Sequence, residues 1–308
     1  MPELPEVETV RRGLQQNLVG HKITGAKVLR DASIGYPSPS EFAKKIVGHT
    51  FKEVERRGKY LLIHLDKKAG LGAHLRMSGR LLTSSKSKIN ESHVRVRLSL
   101  DNGKELIFED MRVFGRLWYV PPGKTFEEVI PALTELGPEP LTVLPVSHFK
   151  NAFKRKTQPI KTALLDQTIV AGIGNIYADE ALHLANIHPL RTAASLTDAE
   201  LAQLSEQITF VLNKAIGLGG STLRNYTDSS GVNGNYQSNA GVYGRMGKPC
   251  GQCKTAIARI RIAGRSSHFC PDCQPEPTGI KAKSAARSKV SAKPKTAARL
   301  KPATKKKR

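Results

Sequence analysis

The chemistry that this sequence suggests begins at its amino terminus, where Met1 is followed by Pro2 and Glu3. A small second residue favours removal of the initiator methionine, so we expect the mature chain to begin with the secondary amine of Pro2. An α-amino group has an unperturbed pKa of about 8, so part of this amine is neutral at physiological pH and can attack an electrophilic carbon to form an imine. Glu3 supplies a carboxyl group that can move a proton. The same stretch also suits an ordinary helix start, because Pro5 and acidic side chains favour a first helical turn.

A second group with clear chemistry is formed by four cysteines near the carboxyl end. Cys250, Cys253, Cys270 and Cys273 form two C-x-x-C pairs separated by sixteen residues. This spacing places two thiolates on each of two tight turns, which is typical of a tetrahedral zinc ribbon. Two disulfides or a redox pair are the alternatives, and the expected intracellular location and the doubled spacing disfavour both. We predict one structural Zn²⁺ and no organic cofactor.

The charge of the chain indicates a polyanionic partner. The 308 residues include 49 Lys and Arg against 26 Asp and Glu, a formal net charge of +23. Twelve of the cations and no acidic residue lie in residues 279–308, so the rest of the chain is also basic. Nucleic acid is the commonest partner of such a protein. No apolar run approaches the ~18 residues of a membrane span and no signal pattern opens the chain, so we expect a cytoplasmic, nucleoid-associated protein without membrane contact.

The periodicity of apolar residues predicts a strand-rich first part and a helical second part of the chain. Apolar residues at helical spacing predict a helix over residues 5–18. Residues 21–120 favour short strands, which would pack as a β-sandwich or flattened barrel. From residue 161 the pattern becomes helical. The predicted strands are 22–29, 51–57, 60–65, 93–100, 105–108 and 117–120, and the predicted later helices are 162–170, 178–185 and 197–218.

We therefore expect an α+β protein in four segments. Residues 1–135 would form a β-sandwich domain with its flanking N-terminal helix. Residues 136–240 would form a helical domain, in which the Gly-, Asn- and Ser-rich loop 217–241 is long enough to suggest a function. Residues 241–274 would form the four-cysteine zinc-ribbon hairpin. Residues 275–308 are rich in Lys, Ala and Pro, so we expect a disordered tail that binds DNA through non-specific charge.

Four motifs occur in the order and spacing of a known enzyme family. They are Met1-Pro-Glu-Leu-Pro-Glu-Val-Glu-Thr, His74-Leu-Arg-Met-Ser-Gly79, Leu165-Asp-Gln-Thr-Ile-Val-Ala-Gly-Ile-Gly-Asn-Ile-Tyr177 and the four-cysteine ribbon. Together they resemble the bacterial formamidopyrimidine-DNA glycosylases, over residues 1 to about 274. The resemblance implies a helix-two-turn-helix fold for the helical domain and a monomer. It also implies a repair enzyme that excises 8-oxoguanine and ring-opened purines from double-stranded DNA and cuts the strand at abasic sites.

The resemblance implies roles for the chemical groups. Pro2 would attack the sugar C1′ and form a Schiff base, Glu3 would be the general acid and base, and Glu6 a supporting carboxylate. Lys59, which the sequence alone would leave as a solvated turn lysine, would donate the proton in β-elimination and contact a phosphate. Arg265 would grip phosphates around the lesion and assist δ-elimination. The predicted product is a one-nucleotide gap.

Further matches concern DNA contacts. Met77, Arg112 and Phe114 match side chains that enter the duplex, although an isolated Met or Phe is more often a core residue. The sequence at 111–115 lacks the proline and the extra basic residue of the commoner family form, so we expect one weaker backbone contact. The matches near the lesion phosphates are His74, His93, Arg155, Lys161 and Asn175. For the two histidines a structural role is an equal alternative.

The long loop would fold over the everted base. Ser221, Thr222 and Tyr226 match residues of the lesion pocket in the family, and a mobile surface loop is the alternative for this stretch.

Two other functions remain open from the residues. A sister glycosylase for oxidised pyrimidines, resembling endonuclease VIII, would release thymine glycol faster than 8-oxoguanine. Leu4 disfavours it, because those enzymes tend to start Pro-Glu-Gly-Pro-Glu. A non-catalytic zinc-ribbon DNA-binding protein would explain the charge and the ribbon. It would not explain the Pro2-Glu3 terminus or Lys59.

We expect truncation after Gln274 to lower non-specific DNA affinity and to flatten its dependence on salt, because each phosphate that a cation neutralises adds to the salt slope. Single-turnover excision should survive. Filter binding from low to high salt measures the slope, and a slope identical to that of the full chain would refute this role for the tail.

Overall fold

The computed structural model describes residues 1–84, 91–221 and 235–276, so the predictions for residues 275–308 lie almost entirely outside the described residues. The helices are α1 Leu4–Leu18, α2 Pro39–Ile46, α3 Phe126–Val129, α4 Val146–Phe153, α5 Ile160–Leu164, α6 Asn175–Leu184 and α7 Asp198–Gly217. The strands are β1 Ile23–Val28, β2 Ile34–Tyr36, β3 Phe51–Arg57, β4 Tyr60–Leu65, β5 Gly70–His74, β6 Gly79–Ser84, β7 Val94–Leu100, β8 Glu105–Asp110, β9 Arg116–Val120, β10 Ala258–Ile262 and β11 Arg265–Phe269.

The first nine strands form two sheets around one apolar core. The four-stranded sheet has the order β1-β7-β8-β6, and the five-stranded sheet has the order β2-β9-β5-β4-β3. Strand β7 alternates buried and half-buried residues along its whole length, as expected for a strand with one face on the core. Side chains of α1, such as Val7 and Leu14, are buried in the same core. The predicted β-sandwich with an N-terminal helix is confirmed.

Helices α4 to α7 surround a second core. Phe149, Phe153, Tyr177 and Leu204 are fully or almost fully buried in it. Helix α7 begins at a capping box, in which the Thr197 hydroxyl accepts from the backbone N–H of Glu200. Strands β10 and β11 form the antiparallel hairpin that carries the last two cysteines beyond its second strand. In the described part of the chain, no helix is both long and apolar enough to cross a membrane.

The sequence did not predict α2, α3, α4, β2, β5 or β6, and it extended α5 too far; two of these differences have a clear local reason. The helix predicted over 162–170 is wrong beyond Leu164, because Asp166 turns the chain: its carboxylate accepts from the N–H and the hydroxyl of Thr168. Such side-chain bonds compete with helix formation. Strand β5 was missed because all five of its residues are buried, and two of them are glycines, so no alternation appears in the sequence.

A buried ion pair locks the β3–β4 hairpin to the segment that leads into the helical part. The Arg56 side chain is only 6% exposed and lies between Glu8 and Glu139, at 3.2 and 2.8 Å. Glu139 also accepts from the backbone N–H of Gly58 at 2.6 Å. The turn that carries Lys59 is therefore held from both sides.

Gly137 lies at the closest backbone approach of this junction. Its N–H donates to the carbonyl of Gln167 at 2.9 Å, and its own carbonyl accepts from Arg57 at 2.6 Å. A Cβ atom on Gly137 would lie 2.6 Å from the backbone of Ile169. Only glycine leaves room for the two segments to meet.

We expect Gly137→Ala to lower the free energy of unfolding by about 1–3 kcal/mol, because the added Cβ must push two backbones apart. Gly217→Ala is the matched control: it lies at the end of α7 with no atom near its Cβ position, so it should be neutral or stabilising by up to about 1 kcal/mol. Urea unfolding of both variants measures the difference, and equal midpoints would contradict the close approach.

Candidate active site

The Glu3 carboxylate lies against the amino end of α6. Its Oε1 accepts from the N–H of Ile176 at 2.9 Å, and its Oε2 accepts from the N–H of Tyr177 at 3.3 Å. The first N–H groups of a helix lack partners within the helix and favour an anion. A Cβ atom on Gly174 would lie 2.3 Å from the Glu3 Cδ, so only glycine at this position admits the carboxylate. Burial raises the pKa of Glu3, while Lys59 and the two N–H groups oppose that shift.

Glu6 lies beside Glu3 and is also buried. Its carboxylate accepts from the backbone N–H of Glu3 at 2.8 Å, from the Tyr177 hydroxyl, and from the backbone N–H of Ser221 at 2.7 Å. Burial, and then the charge of Glu3, raise the pKa of Glu6 to about 7. The structure thus brings together Glu3, Glu6 and Ser221. Thr222 and Tyr226 lie outside the described residues.

Lys59 occupies the β3–β4 turn and points inward rather than into solvent. Its ammonium donates to the carbonyl of Ile173 at 2.8 Å, in the glycine-rich segment that precedes α6. Burial lowers the pKa of Lys59 to about 8, although the charges of Glu3 and Glu6 act in the opposite direction. A lysine with this pKa can both donate and accept a proton near neutral pH.

His74 lies at the end of β5 and is a neutral imidazole. Its Nδ1 accepts from the backbone N–H of Arg76 at 3.0 Å, so the proton is assigned to Nε2. Burial, together with the charges of Arg76 and Lys59, lowers the pKa of His74 to about 3. A pocket of about 280 Å³ is lined by Met1, Lys59, His74 and Gln167 among others, so it connects the amino terminus to these two side chains.

Arg265 is exposed at the start of β11, and the hairpin beneath it is tied to the helical part. The carbonyl of Ser266 accepts from Asn175 at 3.0 Å and from Lys161 at 2.9 Å. Lys161 is only 1% exposed, and its ammonium lies 2.7 Å from Asp179. The sequence predicted Lys161 near the phosphates of DNA, whereas the structure places it in a buried ion pair.

Met77, Arg112 and Phe114, the three residues predicted to enter the duplex as a wedge, lie on two neighbouring turns. Met77 and Phe114 are 46% and 53% exposed, which argues against a core role. Arg112 lies 3.4 Å from the Met77 sulfur. The buried Asp110 ties the turns together, since it accepts from the Ser78 hydroxyl and from the N–H groups of Arg112 and Gly115.

Val113, between the last two wedge residues, has a φ of 59°. This backbone conformation is strained for a β-branched residue. It is held in place by Arg116, which donates to the Val113 carbonyl, and by Asp110, which accepts from the N–H groups of Arg112 and Gly115. Arg155 is exposed just beyond α4. His93 lies 3.9 Å from Glu109, just before β7 at the end of the two central strands of the four-stranded sheet.

The four cysteines fit one zinc ion. Their sulfur atoms all lie within 4.8 Å of one another, and the Cys253–Cys270 and Cys250–Cys273 distances are 3.3 and 3.9 Å. Four sulfurs at about 2.3 Å from a tetrahedral ion lie about 3.8 Å apart. A disulfide needs about 2.05 Å, and all four cysteines are free, so the two-disulfide alternative is not formed.

Several residues that shape the site escaped sequence reasoning. Asp179 and the adjacent Glu180 are buried on α6, and Glu180 accepts from the N–H groups of residues 241–243. The side chain of Gln274 is buried and bonds Cys270 and Ile187. The signal that could have revealed Asp179 and Glu180 is two acids within the apolar run of residues 176–185.

Comparison with known proteins agrees with this geometry. Family models match three parts of the chain: the formamidopyrimidine-DNA glycosylase N-terminal domain at residues 1–117, the H2TH domain of the same enzymes at 136–227, and a zinc finger found in FPG and IleRS at 247–275. A formamidopyrimidine-DNA glycosylase of Gloeobacter violaceus is 52% identical over 277 residues, covering 89% of this chain and 98% of the relative. The chain belongs to the formamidopyrimidine-DNA glycosylase family.

Solved structures of this family carry DNA. A Lactococcus lactis formamidopyrimidine-DNA glycosylase variant in complex with DNA containing Fapy-dG is 36% identical, with a TM-score of 0.82 over 89% of this chain and all of that chain. The Lactococcus lactis enzyme with abasic-site DNA has the same identity and coverage and a TM-score of 0.81. A Pelotomaculum thermopropionicum family member is 48% identical over 275 residues, with 89% of this chain and 99% of the relative covered.

We expect Glu6→Gln to reduce the pH dependence of stability. Because the folded state raises the pKa of Glu6 from 4.5 to about 7, the fold binds more protons than the unfolded chain in this window. The free energy of unfolding therefore falls as pH rises from about 4.5 to 7, by up to about 3 kcal/mol. Denaturant unfolding at several pH values measures the slope.

Glu127→Gln, at an exposed carboxylate, is the matched control and should keep the wild-type slope. If the Glu6→Gln slope equals that of the wild type, the carboxyl does not titrate in this window.

Proposed function

We propose that this protein is a bifunctional DNA glycosylase and abasic-site lyase of base excision repair, which acts on double-stranded DNA containing 8-oxoguanine, formamidopyrimidines or abasic sites. The observation that carries the proposal is the arrangement at the amino terminus, where Glu3 is fixed at the end of α6 and Lys59 reaches the same segment. Family membership and the Fapy-dG complexes of the Lactococcus lactis enzyme support the substrate class.

The reaction would begin once Met1 is removed. The neutral Pro2 amine attacks C1′ of the damaged nucleotide, the bond between C1′ and the base breaks, and the base leaves with its electron pair and a proton. Glu3 supplies and receives protons at the sugar as the ring opens and the imine forms. Its carboxyl group suits this role, because burial raises its pKa while helix amides keep it in place.

Strand cleavage would follow from the imine. The imine acidifies the proton on the adjacent C2′, and removal of that proton expels the 3′ phosphate. A second elimination expels the 5′ phosphate, so that a one-nucleotide gap remains. Lys59, whose pKa is lowered to about 8 by burial, would move protons in these steps. Arg265 would hold the departing phosphate, since a guanidinium stays charged and binds two oxygens at once.

Other residues would bind and deform the duplex. Met77, Arg112 and Phe114 project from tied turns, as a wedge that fills the space of an everted nucleotide requires. The neutral His74 can donate its Nε2 proton to a phosphate oxygen, and Arg155 is exposed for the same purpose. Asn175 would contribute by holding the hairpin that carries Arg265, and His93 would contact a phosphate from its position just before β7.

The remaining groups would complete the assembly. One structural Zn²⁺ on the four cysteines would hold the hairpin that carries Arg265. Glu6 and Ser221, which are bonded to each other, would line the lesion pocket. The resemblance assigns Thr222 and Tyr226 to the same pocket. We keep the four segments expected from the sequence as the proposed domains. Residues 1–135 would form the catalytic β-sandwich domain, 136–240 the helical DNA-binding domain, 241–274 the zinc-ribbon hairpin and 275–308 the basic tail. The positive charge would keep the protein on DNA of the nucleoid.

Oxidised pyrimidines are a second substrate class. The Lactococcus lactis enzyme has been solved with DNA containing an oxidised pyrimidine, with 35% identity and a TM-score of 0.80 to this chain. We propose that such lesions are processed more slowly than oxidised purines.

Borohydride trapping tests the proposal. The purified protein is incubated with duplex containing 8-oxoguanine opposite cytosine and reduced, and the crosslinked peptide is mapped. We expect an adduct on Pro2 and a one-nucleotide gap in unreduced samples. Thymine glycol duplex, run in parallel, should give slower product release.

Pro2→Gly, which still permits methionine removal, should trap less adduct, because it replaces the secondary amine. An adduct on a lysine would reject the assigned nucleophile. Tight binding without any adduct would favour a non-catalytic protein, and faster release of thymine glycol would favour a pyrimidine enzyme.

A further inference from the structure

The strand that carries Arg265 is held by side chains of the helical part at three successive residues. The carbonyl of Ser266 accepts from Lys161 and Asn175. Asp179 accepts from the Ser267 hydroxyl at 2.8 Å and from the backbone N–H of His268 at 2.9 Å. The position of Arg265 is therefore set by contacts beneath it and not only by the hairpin turn.

Lys161 is the centre of this arrangement. Its ammonium is buried and contacts Asp179 at 2.7 Å and the carbonyl of Ser266 at 2.9 Å. A lysine that neutralises a phosphate must present its N–H groups to the DNA surface, whereas these N–H groups point into the protein. Burial lowers the pKa of Lys161, and the charge of Asp179 opposes that shift.

Helix α6 connects the Lys161–Asp179 pair to the amino terminus. Its first-turn amides hold Glu3, and Asp179, one turn later, holds the strand after Arg265. A helix is rigid over one turn, so the separation between the Glu3 carboxylate and the Arg265 backbone is fixed. Catalytic groups must be held within a fraction of an ångström of their productive geometry.

We propose that Lys161 and Asp179 are positioning residues that set Arg265 for expulsion of the second phosphate, and that Lys161 does not contact DNA. This inference rests on the proposed function, because it assumes that Arg265 assists δ-elimination. It replaces the sequence-based expectation for Lys161 with a different role for the same residue.

The test uses the full-length, zinc-loaded protein with Lys161→Met, Asp179→Asn and the double variant, on duplex with a defined abasic site. We expect the ratio of gap product to singly cleaved β-elimination product to fall about tenfold or more, because a misplaced group loses that much or more in rate. The slope of log Kd against log salt concentration should stay at the wild-type value.

The double variant keeps the experiment decisive if a single variant fails to fold. Each single change leaves one buried charge without its partner, whereas Lys161→Met with Asp179→Asn leaves the site neutral. Zinc content is measured for every variant, so that loss of the ribbon is distinguished from a displaced Arg265.

Two controls bracket the result. Lys150→Met with Asp198→Asn makes the same chemical changes at an exposed pair, 2.8 Å apart and more than 60% exposed on both sides, and should leave the product ratio unchanged. Arg155→Ala should lower the salt slope by about 0.9, the value for one lost phosphate contact.

The outcomes separate the two proposals. A slope lowered by about 0.9 in Lys161→Met would make Lys161 a phosphate contact and overturn the inference. An unchanged product ratio in the zinc-loaded double variant would overturn it as well. If the wild-type protein itself makes no gap product, the proposed lyase function fails, and the positioning role fails with it.

Discussion

The contact between the Glu3 carboxylate and the amino end of α6 is the interaction on which the rest of the site depends. The N–H groups of Ile176 and Tyr177 have no hydrogen-bond partner within the helix, and they donate to the buried Glu3 carboxylate. Without these two donors the burial of the carboxylate would be costly. Each group makes the burial of the other tolerable. The contact also fixes the chain start against the helical part, because the Leu4 N–H donates to the carbonyl of Gly172 at 3.0 Å. Residue 2, the nucleophile of the proposed reaction, is thereby held in a defined position.

Helix α6 also contacts the zinc ribbon, so the amino terminus and the ribbon are held by the same helix. Asp179 and Glu180 bond opposite ends of the zinc ribbon, the hairpin strand on one side and residues 241–243 on the other. The His183 ring lies 3.2 Å from the Gln274 side chain, beyond the last cysteine. Buried acids of this kind add little to stability when they are fully paired, but they specify one arrangement, since any other would leave a charge unpaired. One short helix thus aligns the amino terminus, the ribbon and Arg265.

Burial gives this polar cluster its chemistry. The same low-dielectric surroundings raise the pKa of Glu6 to about 7, lower that of Lys59 to about 8, and lower that of His74 to about 3. The first two groups can therefore exchange protons near neutral pH, while the third stays an uncharged donor. Clusters of shifted groups beside a pocket are typical of catalytic sites. The exposed Met77 and Phe114 need no such shift for the wedge role proposed for them, because that role is steric.

The sequence by itself determined the elements whose signals are local. The helix start at Pro5, strands β3 and β4, the capping box at Thr197 and the cysteine spacing all depend on neighbouring residues, and the structure agrees with them. The motifs were also enough to recognise the family and to name most of the candidate site residues, because a motif is recognised by residue types and their spacing in the sequence.

Only the tertiary structure decided which of these residues meet. The true start of α6 at Asn175 is capped by Glu3, about 170 residues away in the sequence, and no local pattern can show that bond. Lys161 illustrates the same limit: it follows a basic stretch, and no residue near it in the sequence reveals its buried ion pair with Asp179. Burial and pairing depend on residues that are distant along the chain, so charge type alone could not assign Lys161 its place, whereas close packing in the folded protein does.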